Sequence, residues 1–254
     1  MDRHELIVIK IGSNVLTDDK GRLDQRSFKK IAQQIKKLKH KQIIIVSSGA
    51  IACGTEKLGI SFVNRTIPQK QAAASVGQSL LMQYYAKFLH PLNVGQILLT
   101  ADAIKNRDRA ENVKNTINEL LKMNAIPVIN ENDSVVVDEI KFGDNDMLSA
   151  QVATLVKAAK LIIMTDIDGL YTKNPRQYPG ATLISEVKKV TSDIEKLAGG
   201  AGSHKGTGGM ASKLKAAKVA TESGIDMYIA NGFHKNILID IFNRRACCTH
   251  FGHE

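Results

Sequence analysis

Tryptophan is absent, and the three aromatic residue types together make up only 5% of the 254 residues. Rings therefore do not interleave with the basic residues, as a stacking platform for single-stranded nucleic acid requires. Cysteine is almost as scarce. Cys53, Cys247 and Cys248 are odd in number and have no C-x-x-C spacing, which excludes a disulfide framework and fits a reducing cytosol. The adjacent Cys247 and Cys248 read as small apolar residues in a late strand rather than as a redox pair or metal ligands. The seven histidines are scattered, no His/Cys cluster has zinc spacing, and no protein-held metal is expected. No apolar run approaches the roughly 18 residues of a membrane span, and the first, Leu6 to Ile9, is too short for a signal-peptide core. A soluble, cytoplasmic protein without membrane contact is expected. A G-x-S-x-G elbow is also missing, which removes an α/β-hydrolase nucleophile. With no Pro/Ser-rich linker, residues 1–254 read as a single domain.

Hydrophobic residues make up 43% and charged residues 24% of the chain, and Lys+Arg exceed Asp+Glu by 35 to 25, a formal charge of +10. This is ordinary globular composition with enough length for one sizeable core. Much of the positive excess lies at Lys29, Lys30, Lys36, Lys37, Lys39 and Lys41. It reads as the solvated face of one amphipathic helix, with attraction of a polyanion as the functional alternative.

Short aliphatic runs alternate with helical patterns. Strands are expected at Leu6–Lys10, Ile43–Ser47, Val94–Thr100, Ile126–Asn130, Leu161–Thr165 and Ile225–Ala230. Several are apolar throughout, as in a parallel sheet covered on both faces. Helices are expected at Asp24–His40, Ala50–Leu58, Pro68–Leu89, Arg107–Met123, Asn145–Ala159 and Met210–Ser223, the last stopped by Gly224. A small hairpin, Val135–Val137 with Ile140–Phe142, interrupts the alternation. The pattern predicts a three-layer α/β/α sandwich with a mainly parallel central sheet. A TIM barrel fits less well because of the hairpin and the uneven connections.

Ligands collect beyond the carboxyl ends of parallel strands, and the residues there are small or ionisable. The first strand ends in Lys10-Ile11-Gly12-Ser13 and the second in Ser47-Ser48-Gly49-Ala50. The fourth ends in Asn130-Glu131-Asn132-Asp133 and the fifth in Thr165-Asp166-Ile167-Asp168-Gly169. Glycine turns beside Lys10, one opening directly into a helix, read as a cradle for phosphate oxygens. Residues 198–209 hold six of the 19 glycines, and Gly206-Thr207-Gly208-Gly209-Met210-Ala211-Ser212-Lys213 opens a helix with a lysine one turn in. It matches neither a Walker A loop nor G-x-G-x-x-G, yet it brings backbone N–H groups and an ammonium to one place. Gly143-Asp144-Asn145-Asp146 begins another helix. Capping accounts for one of these two aspartates; the second points to a site for an ammonium group or an organiser of the lysines. Asp166-Ile167-Asp168-Gly169 lacks the ligand series of a calcium loop.

Taken in order, these motifs, with Ile129 before Asn130 and Leu170-Tyr171 after Gly169, resemble the amino-acid kinase superfamily and, within it, the glutamate 5-kinase family. The resemblance runs from Ile9 to about Ala230. It implies transfer of the γ-phosphoryl group of MgATP to the side-chain carboxylate of L-glutamate, giving L-glutamyl 5-phosphate in the first step of proline biosynthesis. It implies that Lys10 and Lys213 flank the moving phosphoryl group and that Asp146 holds them. Ser48, Asp133 and Asn145, with Asn130 close by, match glutamate-binding positions. Lys10, Thr165, Asp166 and Thr207, Gly208, Gly209, Met210, Ala211, Ser212 and Lys213 match the nucleotide site. The N-terminal part would serve the amino acid and the C-terminal part the nucleotide. A homo-oligomer, dimer or tetramer, is implied, with ATP and Mg²⁺ as cofactors and no nucleic-acid partner. Many relatives carry a further C-terminal PUA domain, and the sequence ends at Glu254 before one fits, so a single-domain form is expected. The alternatives are a kinase of the same superfamily acting on acetylglutamate, aspartate or carbamate, an RNA-binding protein, and a glycine-loop oxidoreductase.

Overall fold

The computed structural model describes residues 5–18, 20–135, 144–198 and 209–253. In chain order it begins with β1 (Glu5–Ile11), α1 (Ser13–Leu16), α2 (Gln25–Lys37), β2 (Lys41–Ser47), α3 (Ala50–Leu58) and α4 (Ile67–Leu89). Next come β3 (Asn93–Leu99), α5 (Ala101–Lys105), α6 (Arg107–Lys122), β4 (Ala125–Glu131), α7 (Asn145–Val156) and β5 (Lys160–Thr165). The last third holds β6 (Glu186–Val187), α8 (Ser192–Leu197), α9 (Met210–Glu222), β7 (Asp226–Asn231), α10 (Ile237–Phe242) and β8 (Cys248–Phe251).

The eight strands form one open sheet in the order β3-β4-β2-β1-β5-β7-β8-β6, which settles the choice against a barrel. The pairs among β3, β4, β2, β1, β5 and β7 are parallel. β8 runs antiparallel to β7 and pairs with β6. The apolar runs follow from burial on both faces. In β1, Ile7, Ile9 and Ile11 enter a core with α1, α2, α4 and α10, whereas Val8 enters a second core with α6, α7 and α9. Alternation along the strand sends Lys10 to the second face as well.

α2 is capped by Asp24, buries Phe28, Ile31 and Ile35, and leaves Lys29, Lys30, Lys37 and Lys39 exposed, a solvated face as its spacing predicts. α4 opens with a Thr66–Gln69 capping box and Pro68 in its first turn, where a missing N–H is harmless. α3 and α4 approach so closely that a Cβ on Gly77 would stand 1.8 Å from the Ala50 carbonyl oxygen, and one on Gly54 1.7 Å from that of Ala73. Only glycine permits this contact.

Three expectations need correction. α7 stops at Val156, because Lys157 turns left-handed (φ 53°) and closes the helix before Ala159. Cys248 lies buried in β8, but Cys247 precedes the strand and is exposed. α1, α5, α8, α10 and β6 have no counterpart among the expected elements, being too short to show a period. The hairpin, apart from Val135, and the glycine stretch from 199 to 208 lie outside the described residues.

Candidate active site

Parallel pairing brings the carboxyl ends of β1, β2, β4 and β5 to one edge of the sheet. Lys10 lies one residue before the end of β1, on the face covered by α7 and α9. Asp146 is in the first turn of α7 and Lys213 in the first turn of α9. The Lys10 ammonium lies 2.6 Å from Asp146 Oδ1, and the Lys213 ammonium lies 2.9 Å from Oδ2. All three side chains are buried, Asp146 completely. Two ammonium groups 203 positions apart in sequence thus share one carboxylate.

The electrostatics follow from this arrangement. Burial alone would raise the Asp146 carboxyl, but the two ammonium groups hold it below its ordinary value. Burial pulls Lys10 down, Asp146 works against that, and Lys213 adds repulsion. The triad carries net charge +1 when all three groups are ionised, so it has positive charge to offer an anion.

The two aspartates at the start of α7 divide the work. Asp144 is the cap, accepting the Met147 N–H at 3.1 Å, and also accepts a short hydrogen bond from Ser212 Oγ of α9. It pins the N-termini of α7 and α9 together, beside the Lys213–Asp146 pair that joins the same two helices. Gly12 continues β1, its N–H donating to the Met164 carbonyl at 3.0 Å. A Cβ there would stand 3.1 Å from that carbonyl oxygen and 3.8 Å from the Lys10 ammonium. Gly49, left-handed at φ 102°, turns β2 into α3.

Beside the triad lies a set of neutral groups. Asn145 Nδ2 donates to Ser48 Oγ at 3.0 Å and to Asn130 Oδ1 at 3.1 Å. Ser48, Asn130 and Asn145 therefore meet in space. Asn145 Oδ1 is buried and has no hydrogen-bond partner among the described residues. Asp133, just past β4, is buried as well. Burial, reinforced by Glu131, pushes its carboxyl up to about 7.

At the end of β5, Thr165 donates to Asp166 Oδ1 at 3.2 Å. Asp166 Oδ2 accepts from Arg176 at 2.9 Å and from Asn14 of α1 at 3.1 Å. Gly209, Met210, Ala211 and Ser212 form the start of α9; Thr207 and Gly208 lie outside the described residues. Sequence reasoning missed Gln78, whose Oε1 accepts from Asn130 Nδ2 at 2.9 Å. Its signal was a lone amide among buried Ala74, Gly77 and Leu81 of α4. It also missed Asn14 and Arg176, which nothing local marks.

A family model described as the amino acid kinase family matches residues 5–231. A glutamate 5-kinase from Citrifermentans bemidjiense is 53% identical over 230 residues, covering 89% of this chain and 62% of that protein. A glutamate 5-kinase from Clostridium tetani is 49% identical over 249 residues, covering 96% of this chain and 93% of that protein. The chain thus spans somewhat under two thirds of the first relative and nearly all of the second. Among solved structures, carbamate kinase from Giardia lamblia bound to AMP-PNP superposes with a TM-score of 0.70 at 14% identity, both chains being covered completely.

Proposed function

Starting from the premise that the chain belongs to the amino acid kinase family, on its glutamate 5-kinase branch, we propose that it transfers the γ-phosphoryl group of ATP to the side-chain carboxylate of L-glutamate. The product, L-glutamyl 5-phosphate, is an acyl phosphate that can be reduced on the way to proline. One observation carries the reading: two buried ammonium groups held by one carboxylate, whose neighbour in the chain, Asn145, bonds to Ser48 and Asn130.

A carboxylate is already a nucleophile at neutral pH, so the reaction requires no strong general base. The obstacle is repulsion between two anions, and it is overcome by positioning and charge neutralisation. One carboxylate oxygen of glutamate forms a bond to γ-phosphorus as the bond to the bridging oxygen breaks, releasing ADP. Lys10 and Lys213 stand on either side of the migrating group, and Asp146 keeps both ammonium groups in place before the substrate arrives. Preorganisation of this kind stabilises charge without rearrangement during the step.

Ser48, Asn130 and Asn145 hold the amino acid in this reading, and Asp133 meets its ammonium group. Thr165, Asp166 and the start of α9, extended by Thr207 and Gly208, hold the nucleotide. The part of the chain up to α7 thus serves mainly the amino acid and the remainder mainly the nucleotide. No group of three His, Cys, Asp or Glu side chains among the described residues could hold a metal ion. In this reading Mg²⁺ arrives on the nucleotide's phosphates. The ion would neutralise phosphate oxygens there.

ATP as donor and the three free cysteines support a cytoplasmic location, and no described helix is long and apolar enough to cross a membrane. Exposed Leu58, Phe62 and Val63 around the α3–α4 connection support a homo-oligomer, dimer or tetramer, which sedimentation would size. The activity test is a panel of acceptors with ATP and Mg²⁺ in the presence of hydroxylamine. L-Glutamate should yield the trapped hydroxamate. Hydroxamate from aspartate or acetylglutamate instead would overturn the assignment, as would none from any acceptor.

A further inference from the structure

Gln78 lies in the middle of α4, buried, and is not part of the site as read above. Its Nε2 donates to Gln96 Oε1 at 3.3 Å, so its Oε1 faces Asn130 Nδ2. Asn130 Oδ1 accepts the Glu131 backbone N–H at 2.9 Å. The Glu131 N–H on one end and Gln78 Oε1 on the other together fix which way the Asn130 amide points. The same Oδ1 receives Asn145 Nδ2. The four amides therefore form one directed chain, Asn145 to Asn130 to Gln78 to Gln96, each donating through its nitrogen except the last. Asn145 uses its nitrogen on Asn130 and Ser48, and its Oδ1 stays buried and unpartnered among the described residues. Reversing the Asn145 amide would set Oδ1 against Asn130 Oδ1, two acceptors with no proton between them.

We propose that Gln78 is a positioning residue for amino-acid recognition: by holding Asn130, it keeps Asn145 Oδ1 free to accept a hydrogen bond from the substrate's ammonium group. The inference rests on the glutamate reading above and adds that the pocket selects a free amino group through the direction of this chain. A buried acceptor without a donor is unfavourable in the free protein and is relieved when an ammonium arrives. Recognition of this type discriminates strongly against a ligand that lacks the group.

The test uses Gln78→Met, which preserves volume without a strong acceptor, and Gln78→Glu, which retains an acceptor oxygen for Asn130 while Gln96 turns its amide. The KM for L-glutamate is measured by hydroxamate formation, and glutarate, which has no amino group, is measured as a competitive inhibitor. In Gln78→Met the glutamate KM should rise about ten- to hundredfold. The kcat, the ATP KM and the glutarate inhibition constant should stay within about threefold. Gln78→Glu should keep the glutamate KM within about threefold of wild type. An unchanged glutamate KM in Gln78→Met overturns the proposal. So does a parallel weakening of glutarate, which would mean general damage to the pocket. If Gln78→Met does not fold, Gln78→Glu carries the test, and a tenfold rise in its glutamate KM refutes it. Failure of the wild-type protein to phosphorylate glutamate would instead sink the reading beneath the inference.

Discussion

Replacing Asp146 by asparagine removes the negative charge from between two buried ammonium groups and changes little else in shape. Both ion pairs are short, at 2.6 and 2.9 Å, and all three side chains are withdrawn from water. Removing one partner of a buried pair typically destabilises a protein by about 3–5 kcal/mol, because an uncompensated charge remains inside. For a chain of this size each kcal/mol is worth about 2–4 °C, so the melting temperature should fall by about 6–20 °C. The deficit should depend on pH in a definite direction. Burial and Lys213 already depress Lys10, and Asp146 opposes them most, with Asp144 adding a smaller effect in the same direction. In the variant, the folded-state value of Lys10 drops further below the unfolded one. A lysine depressed on folding penalises the folded state while the unfolded chain still binds the extra proton. The penalty therefore shrinks as pH rises towards the ordinary lysine value. Calorimetric scans at pH 7 and 9.5 should show the gap to wild type narrowing. Turnover should fall about 10²–10³-fold, since neither ammonium is then held for the phosphoryl group. The double variant Asp146→Asn/Lys213→Met should be less destabilised than the two single variants added together, because it leaves only one buried charge. Strict additivity, or a melting temperature within 2 °C of wild type, would refute the electrostatic account of the triad.

Lys10→Ala and Lys213→Ala should each lower kcat by about 10²–10³ with milder effects on KM; near-wild-type turnover in either would remove that lysine from the reaction. The proposed contact of Asp133 with the substrate's ammonium group predicts a pH-dependent glutamate affinity. Its carboxyl titrates near 7 when the pocket is empty, and only the ionised form attracts an ammonium, so the glutamate KM should fall about tenfold from pH 6 to pH 8. That slope should vanish in Asp133→Asn, and Asp133→Ala should raise the glutamate KM at pH 8; a pH-independent wild-type KM would sink the substrate-contact role. Gly77→Ala would drive a methyl group into the Ala50 carbonyl and should destabilise the protein by about 1–3 kcal/mol, as read from urea midpoints, whereas an unchanged midpoint would show that the α3–α4 contact yields without strain.

Strand and helix patterns were legible because two-sided burial leaves a local trace. Runs such as Ile7 to Ile9 and Ile43 to Val46 are apolar at every position only when both faces are covered. The long helices were bounded by local chemistry as well, Thr66 with Gln69 at one start and Gly224 after another end. α5, α8, α10 and β6 span too few residues for periodicity to register. The end of α7 rests on Lys157 adopting a left-handed conformation, which residue type alone does not announce.

The identities at the strand ends, Lys10, Ser48, Asn130, Asp133 and Thr165, were set by the order of residues, because a strand followed by a glycine turn or a polar cluster carries its own signature. The sequence likewise showed that capping explains only one of Asp144 and Asp146. Which of them caps and which binds lysine was decided in three dimensions, by Ser212 reaching Asp144 and by Lys10 and Lys213 converging on Asp146. The same holds for Gln78, whose partners are 18 and 52 positions away, and for Asn14 and Arg176 at Asp166. Backbone conformation and burial pattern are governed by near neighbours and can be read along the chain. Charge pairing and hydrogen-bond direction depend on which distant atoms packing brings within 3 Å, and that is known only once the sheet has assembled.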